Sequence, residues 1–185
     1  MKTVYTVDPN HSTIGFSAKH MMVTTVRGKF HEWSGTVEVE DSNPLSADVT
    51  FTMKGASVDS GLEMRDNDLR THILDVEHHP EVKFRSTKIE EVGQLHYRVT
   101  GNLTIAGNTH PIALDVEAEE EFQDVMGFYR VGFSARATLR RSDWKLNWNV
   151  VLEGGRLLAS EDVKIEIDGA LVRKAEKPEQ SVARA

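Results

Sequence analysis

Three histidines that lie close together are the first candidates for chemistry in this chain. His72, His78 and His79 surround Asp75 and Glu77. The HExxH helix of zinc proteases and the HxH pair of cupins are both absent. Adjacent histidines at the start of a strand point to opposite faces, so His78 and His79 would not converge on one ion. This pattern favours a solvated loop over a metal site, and we expect no metal cofactor.

Catalytic nucleophiles have no sequence signature here. The chain contains no cysteine, which excludes a thiol nucleophile, a disulfide scaffold and a zinc ribbon. No GxSxG elbow marks a serine, and no glycine-rich phosphate loop is present. The carboxylates of Glu90–Glu91 and Glu119–Glu121 fall near strand ends or turns, which is typical of solvated charge. We therefore predict no catalytic residue.

One histidine and three tryptophans each leave two readings open. His20 shares the apolar face of its segment with Ile14 and Phe16, so it is either a hydrogen-bonded core histidine or a polar anchor for a ligand. Trp33, Trp144 and Trp148 either line a cavity or fill a core, and a buried indole N–H needs an acceptor in both cases. The methionines at 21 and 22 could likewise line an adaptable pocket or belong to the core.

Alternation of apolar and polar residues with a period of two dominates the chain and predicts about eight or nine strands. Each strand has one apolar and one polar face, which favours antiparallel pairing, and so many long strands must close or stack to hide their edges. Small residues recur on the predicted inward faces, and this favours a barrel with a cavity over a filled sandwich. The alternation changes phase at His31-Glu32, which predicts a β-bulge. The small inward positions are Ala18, Gly35, Gly101, Ala118, Ala135 and Ala137.

One segment, from Leu62 to Leu74, has helical spacing. Leu69 and Ile73 are four residues apart and share one face, so we expect the helix to cap or flank the barrel with these two side chains inward. The charges between Arg65 and Arg70 are either local ion pairs or a polar latch to the barrel rim.

Length and composition set the outer bounds. The chain has 185 residues and a formal net charge of -7, which argues against a nucleic-acid partner because such proteins usually present a basic face. No stretch approaches the ~20 apolar residues of a membrane helix, so stable membrane insertion is not expected. The N-terminus lacks a signal-peptide pattern, so we expect a cytoplasmic protein, or a periplasmic one if a leader was removed. We predict a single barrel domain over 1–172 and a disordered tail over 173–185.

Several motifs in sequence order resemble the YceI family. The opening Asp8-x-x-His11-Ser12 pattern is followed by Ile14-x-Phe16 and Lys19-His20. Further matches are Val26-x-Gly28-x-Phe30, Arg65-Asp66-x-x-Leu69-Arg70, Asp75-x-Glu77-x-x-Pro80, Gly101-x-Leu103-Thr104 and Val163-Lys164-Ile165. The resemblance runs from about Tyr5 to Val172, nearly the whole chain.

This resemblance implies an all-β fold, an antiparallel lipocalin-like β-barrel of about eight strands that holds a long apolar chain. It implies non-enzymatic binding, storage or transport of a polyisoprenoid, quinone-type or related amphiphilic lipid, and a homodimer. Two alternatives stay open: an enzyme that acts on such a lipid, with His20 and a carboxylate as acid and base, and a stress-related structural protein without ligand. From face parity and the resemblance, we expect the ligand to contact Ile14, Phe16, Ala18, His20, Met22, Phe30, Trp33, Leu69, Ile73, Phe84, Phe133, Ala135, Ala137, Leu139 and Trp144.

Overall fold

The computed structural model of the chain describes residues 1–151 and 158–174, and most of these form antiparallel β-strands. The strands follow the alternation of apolar and polar residues, which turns one face of each strand inward. Twelve strands are present: β1 (Lys2–Val7), β2 (Thr13–His20), β3 (Thr24–Phe30), β4 (Trp33–Glu40), β5 (Asp48–Lys54), β6 (Val58–Asp59), β7 (Glu81–Gly93), β8 (His96–Ile105), β9 (Asn108–Ala118), β10 (Phe122–Gln123), β11 (Phe128–Arg140) and β12 (Ala159–Lys174).

The predicted helix is present and has two parts. Helix α1 spans Glu63–Asp68 and continues into a π-type turn, Leu69–Ile73, in which the Leu74 N–H donates to the carbonyl of Leu69 at 2.8 Å. The helix ends before Asp75, which has a φ of 49°. Short 3₁₀ turns occupy Pro44–Ser46, Gly55–Ser57 and Arg141–Trp144.

The strands close into a barrel because β11 pairs with both β9 and β12. Around the ring the order is β11, β9, β8, β7, β5, β4, β1 and β12, and every one of these neighbours is antiparallel. Three of the ring positions are interrupted along their length. Strand β2 continues the position of β1, β3 continues that of β4, and β6 continues that of β5. The ring therefore has eight strand positions, which confirms the predicted eight-stranded lipocalin-like barrel.

The interruptions correct one expectation. The change of phase at His31-Glu32 is real, but it is a bend between β3 and β4 and not a bulge. The His31 N–H donates to the Ser57 carbonyl at 3.2 Å, and the Lys54 N–H donates to the Glu32 carbonyl at 2.9 Å. These hydrogen bonds join the bend to the turn that follows β5, so the interruption continues across the two neighbouring ring positions.

The small inward residues fall into two groups. Gly35 lies directly opposite Phe51, and a side-chain methyl at Gly35 would come within 2.6 Å of that ring. Gly101 is covered by Phe84 in the same way, at 2.4 Å. These glycines let aromatic rings lie against the wall, so they do not widen the lumen as expected. Of the alanines in this set, Ala18, Ala118 and Ala135 line the lumen, whereas Ala137 packs against buried side chains.

The last strand passes the predicted start of the tail. β12 continues through Arg173 to Lys174, because the whole of β11 pairs along it from Phe128 opposite Lys174 to Arg140 opposite Asp162. The remainder of the predicted tail, 175–185, lies outside the described residues. Among the described residues, none of the helices is long and apolar enough to cross a bilayer.

Candidate functional site

A cavity of about 1080 Å³ runs inside the barrel. Ligand pockets for drug-sized molecules have volumes of about 300–1,000 Å³, so this lumen can hold a larger molecule. Its middle part is walled by aliphatic and aromatic side chains from all eight strand positions. The charged lining residues lie at the two ends of the barrel, and we name these ends by them. The acidic end carries Glu119, Glu120 and Glu121, and the helix end carries α1 and the β2–β3 turn.

Most of the residues expected to contact a ligand do line this cavity. They come from β2, β3, the π turn, β7 and β11, and the barrel brings them together although they are up to 125 positions apart in the chain. They are Ile14, Phe16, Ala18, His20, Phe30, Leu69, Ile73, Phe84, Phe133, Ala135 and Leu139.

Four of the expected contacts lie elsewhere. Met22 is at the tip of the β2–β3 turn and is 56% exposed, because the strand ends at His20. Trp144 is 2% exposed and donates its indole N–H to the carbonyl of Leu103 at 2.8 Å, so it is a core residue. Trp33 and Ala137 have the correct parity, but they pack against buried side chains and do not reach the lumen.

His20 ends β2 and lines the helix end of the cavity. It is half-buried, and its ring makes no hydrogen bond within residues 1–151 and 158–174. This placement at the end of the cavity favours the reading of a polar group that faces a ligand over that of a core histidine.

Two further lining residues lie at the helix end: Arg141, which had no sequence signal, and Trp148, for which a cavity position was one of two readings. Arg141 is 5% exposed and donates to the carbonyl of Trp148, and burial lowers the pKa of its guanidinium. Trp148 lines the cavity and stacks on His72, with ring centroids 5.5 Å apart. Both residues follow β11 in an irregular segment, where face parity predicts nothing.

The charged segment of the helix acts as a latch. Asp66 is 3% exposed and accepts the Ser60 N–H at 2.8 Å, while Arg65 donates to the Ser60 carbonyl at 2.7 Å. Arg70 donates to the carbonyls of Ala56 and Val58, each at 3.0 Å. These carbonyls belong to the bent end of β5 and β6, so the helix is fastened to the barrel rim.

At the acidic end a polar cluster borders the lumen. Arg173 makes a bidentate pair with Glu121, at 2.8 and 2.7 Å, and the Tyr5 hydroxyl donates to Glu121 at 2.7 Å. The Arg173 guanidinium lowers the pKa of the Glu121 carboxyl, and burial raises the pKa of Tyr5. Arg173 also lies over the ring of Tyr129, 3.9 Å from its centroid. These residues are far apart in sequence, so no local pattern predicts the cluster.

The three histidines proposed as a metal alternative diverge. The His78 ring bonds to Asp75 at 2.8 Å, the His79 ring lies against Gly107, and His72 stacks on Trp148. No group of three or more potential ligands converges in the ranges 1–151 and 158–174.

The opening Asp8-x-x-His11-Ser12 motif forms the interruption between β1 and β2. The Arg130 guanidinium donates to Asp8 at 2.8 Å and His11 bonds to the same carboxylate at 2.9 Å. Mainly through Arg130, the pKa of Asp8 falls to about 2. The Ser12 hydroxyl accepts the Ala170 N–H at 3.1 Å, so the motif ties this bend to β12.

Comparison with known proteins agrees with this architecture. The profile of the YceI-like domain matches residues 5–171. The chain belongs to the YceI-like family. A UPF0312 protein of Pectobacterium atrosepticum is 35% identical over 158 residues, which cover 85% of this chain and 79% of that protein. A UPF0312 protein of Shewanella sp. ANA-3 is 32% identical over 165 residues, covering 89% and 83%.

Several solved structures have the same fold. BcnA of Burkholderia cenocepacia superimposes with a TM-score of 0.73 at 22% identity, covering 91% of this chain and 99% of that one. The YCEI protein of Campylobacter jejuni has a TM-score of 0.73 at 26% identity, covering 85% and 90%. A polyisoprenoid binding domain from Saccharophagus degradans has a TM-score of 0.65 at 14% identity, covering 92% and 98%.

Proposed function

We propose that this YceI-like protein binds a long-chain apolar lipid, such as a polyisoprenoid or a quinone-type molecule, inside the barrel without transforming it. The apolar cavity of about 1080 Å³ carries this proposal. Its charged groups are confined to the ends, so a chain that fills the middle meets only hydrocarbon and aromatic walls. A structural neighbour described as a polyisoprenoid binding domain supports the same ligand class.

The polar groups at the helix end favour this end of the cavity as the site of the lipid head group. His20 and Arg141 both line this end, and a guanidinium donates well to phosphate or carbonyl oxygens. A buried cation loses hydration, so an oxygen-rich head group beside Arg141 would restore its hydrogen bonds. The tail would then extend through the lumen toward the acidic end. A carrier of this kind stores or transports its lipid. On the basis of the resemblance to the YceI family, we also propose that the protein is a homodimer.

Binding of quinones with increasing numbers of prenyl units tests the proposal. Each additional buried CH₂ contributes about 0.8 kcal/mol, which is about fourfold in Kd, until the lumen is full. We expect affinity to rise with tail length and then to level off. Mass spectrometry of an organic extract of the purified protein should show one class of chemically unchanged lipid.

Two results would overturn it. One is an affinity that does not depend on tail length, which would place the tail outside the lumen. The other is conversion of the bound lipid to a product over time, which would favour an enzyme. Light scattering of the purified protein distinguishes a dimer from a monomer independently of both.

A further inference from the structure

The turn between β2 and β3 holds two methionines in an unfavourable backbone conformation. Met21 and Met22 have φ values of 49° and 61°, and the Val23 N–H closes the turn on the His20 carbonyl at 3.0 Å. Two positive φ values in succession define a hairpin turn that strongly prefers Asn-Gly. Bulky side chains in this region are strained. The chain therefore keeps apolar residues at this tip against the local preference of the backbone.

These side chains face outward. Met21, Met22 and Val23 are 41%, 56% and 69% exposed. Their position is fixed relative to the cavity, because the Met21 N–H donates to the Leu158 carbonyl at 2.8 Å and Leu158 in turn donates to Val150 at 2.9 Å. The tip is thus joined to the exposed Val150, and the helix end carries further exposed apolar residues. We call this set the apolar rim: Met21, Met22, Val23, Leu62, Met64, Trp148, Val150 and Val151.

The hairpin that carries the tip is basic in an acidic protein. Between Thr13 and Phe30 it contains Lys19, Arg27 and Lys29 and no acidic residue, although the chain has a net charge of -7. None of these three cations is in a salt bridge within the described part of the chain. On α1, the acidic Glu63 is paired with Arg70 at 3.0 Å.

The opposite end of the barrel also has exposed apolar side chains, but the residues around them are acidic. Val125 and Met126 are exposed at the turn before β11, beside Asp124 and near the glutamates of the acidic end. An anionic surface would repel that end and attract the basic hairpin. The basic hairpin that carries the rim tip and the acidic segment before β11 therefore differ in the sign of their charge, although both ends of the barrel expose apolar residues.

We propose that the apolar rim docks on the surface of an anionic lipid bilayer and that the lipid enters and leaves the cavity there. This inference rests on the proposed function, since it concerns the route of the same ligand. Lining residues of the cavity, Leu62, Met64 and Trp148, belong to the rim itself. A lipid that passes through a docked rim avoids exposing its tail to water. Apolar side chains that insert between head groups, flanked by Lys and Arg, are typical of interfacial binding.

Co-sedimentation with vesicles tests the docking. Vesicles of equal parts phosphatidylcholine and phosphatidylglycerol are compared with pure phosphatidylcholine. The double variant Met21→Asn/Met22→Gly removes both apolar side chains and installs the preferred turn sequence, so it should fold at least as stably as the wild type. We expect it to bind the anionic vesicles at least about tenfold more weakly, because a buried Met side chain contributes more than a tenfold change in Kd.

Two further variants separate shape from charge. Val125→Ser/Met126→Ser removes an equal number of exposed apolar side chains at the acidic end and should bind like the wild type. Arg27→Gln should weaken binding to the anionic vesicles about fivefold, since one basic residue near such a surface contributes about 1 kcal/mol. Added salt should reduce this difference.

The inference is wrong if the wild type does not bind the anionic vesicles, or if the Asn-Gly variant binds as well as the wild type. It is also wrong if the Val125→Ser/Met126→Ser variant loses binding equally. Lipid content is measured on the same preparations. A wild type that holds lipid but ignores vesicles overturns only the docking, whereas one that docks through the rim but holds no lipid supports docking and overturns the proposed function.

Discussion

Replacing Ala135 with tryptophan would place an indole ring in the middle of the lumen. Ala135 is 4% exposed and lies opposite Val116 on β9 and Ile167 on β12, and all three residues line the cavity. Along β11 the lining extends from Val131 to Leu139, four residues on each side. At about 3.3 Å per residue, the indole would divide this wall into two parts of about 13 Å each.

The expected loss of affinity follows from the part of the ligand that is excluded. A tail that occupied both halves would have to withdraw from one of them. Each CH₂ left in water costs about 0.8 kcal/mol, so five excluded CH₂ groups cost about 4 kcal/mol, or about a thousandfold in Kd. The overpacking cost of about 1–3 kcal/mol should be near its lower limit, because the ring enters an open lumen.

The assay is the amount of lipid per mole of purified protein, measured by mass spectrometry. Ala137→Trp is the matched control, since Ala137 is two residues further along the same face but does not line the cavity. We expect the lipid to be lost from Ala135→Trp and retained in Ala137→Trp. Circular dichroism must show that both variants are folded. Equal lipid in the wild type and a folded Ala135→Trp would refute the placement of the ligand in the lumen.

The remaining predictions concern the helix, the core, the bend and metal. Leu69→Ala should lower the unfolding free energy by about 2–5 kcal/mol in denaturant titrations, because it leaves a cavity beside the lumen. Arg70→Ala should mainly raise the ligand off-rate in stopped-flow measurements, because it releases the helix from the barrel rim. An unchanged off-rate would mean that the helix does not control ligand exit. Trp144→Phe should cost about 1–3 kcal/mol, because it leaves a buried carbonyl without its donor, and a thermal melt like that of the wild type would contradict this. Because the pKa of Asp8 is lower in the folded protein than in the unfolded chain, the ionised carboxylate contributes to folding stability. This contribution is fully present above pH about 4 and is lost as the pH falls toward about 2. Arg130→Gln should therefore lower the folding stability at neutral pH and flatten the acid limb of a stability–pH profile, and an unaltered acid limb would count against the Arg130 contact. EDTA should change neither the melting temperature nor the lipid content; a drop that zinc reverses would revive the histidine cluster as a metal site.

The barrel and most of its lining could be read from the residues themselves. Alternation along β2 and β11 assigned Ile14, Phe16, Phe133 and Leu139 to the inside, because side chains of a strand point to opposite faces in turn. The same reasoning with a period of 3.6 placed Leu69 and Ile73 together. Parity, however, assigns a face and does not say which neighbouring side chains cover a residue on that face. Ala137 and Trp33 therefore lie on the predicted inward face, but they pack against buried side chains and do not line the cavity.

Contacts between distant segments depended on the tertiary structure alone. The Tyr5–Glu121–Arg173 cluster joins the first strand, a loop and the last strand, so its members have no common local pattern. Arg141 and Trp148 reach the lumen from an irregular segment, where neither strand nor helix periodicity applies. The size of the cavity also depends on the tertiary structure. Aromatic rings can lie against glycines of neighbouring strands only once the strands are paired. Local periodicity thus determined which faces turn inward, and the closure of the ring decided which side chains meet and how much space remains between them.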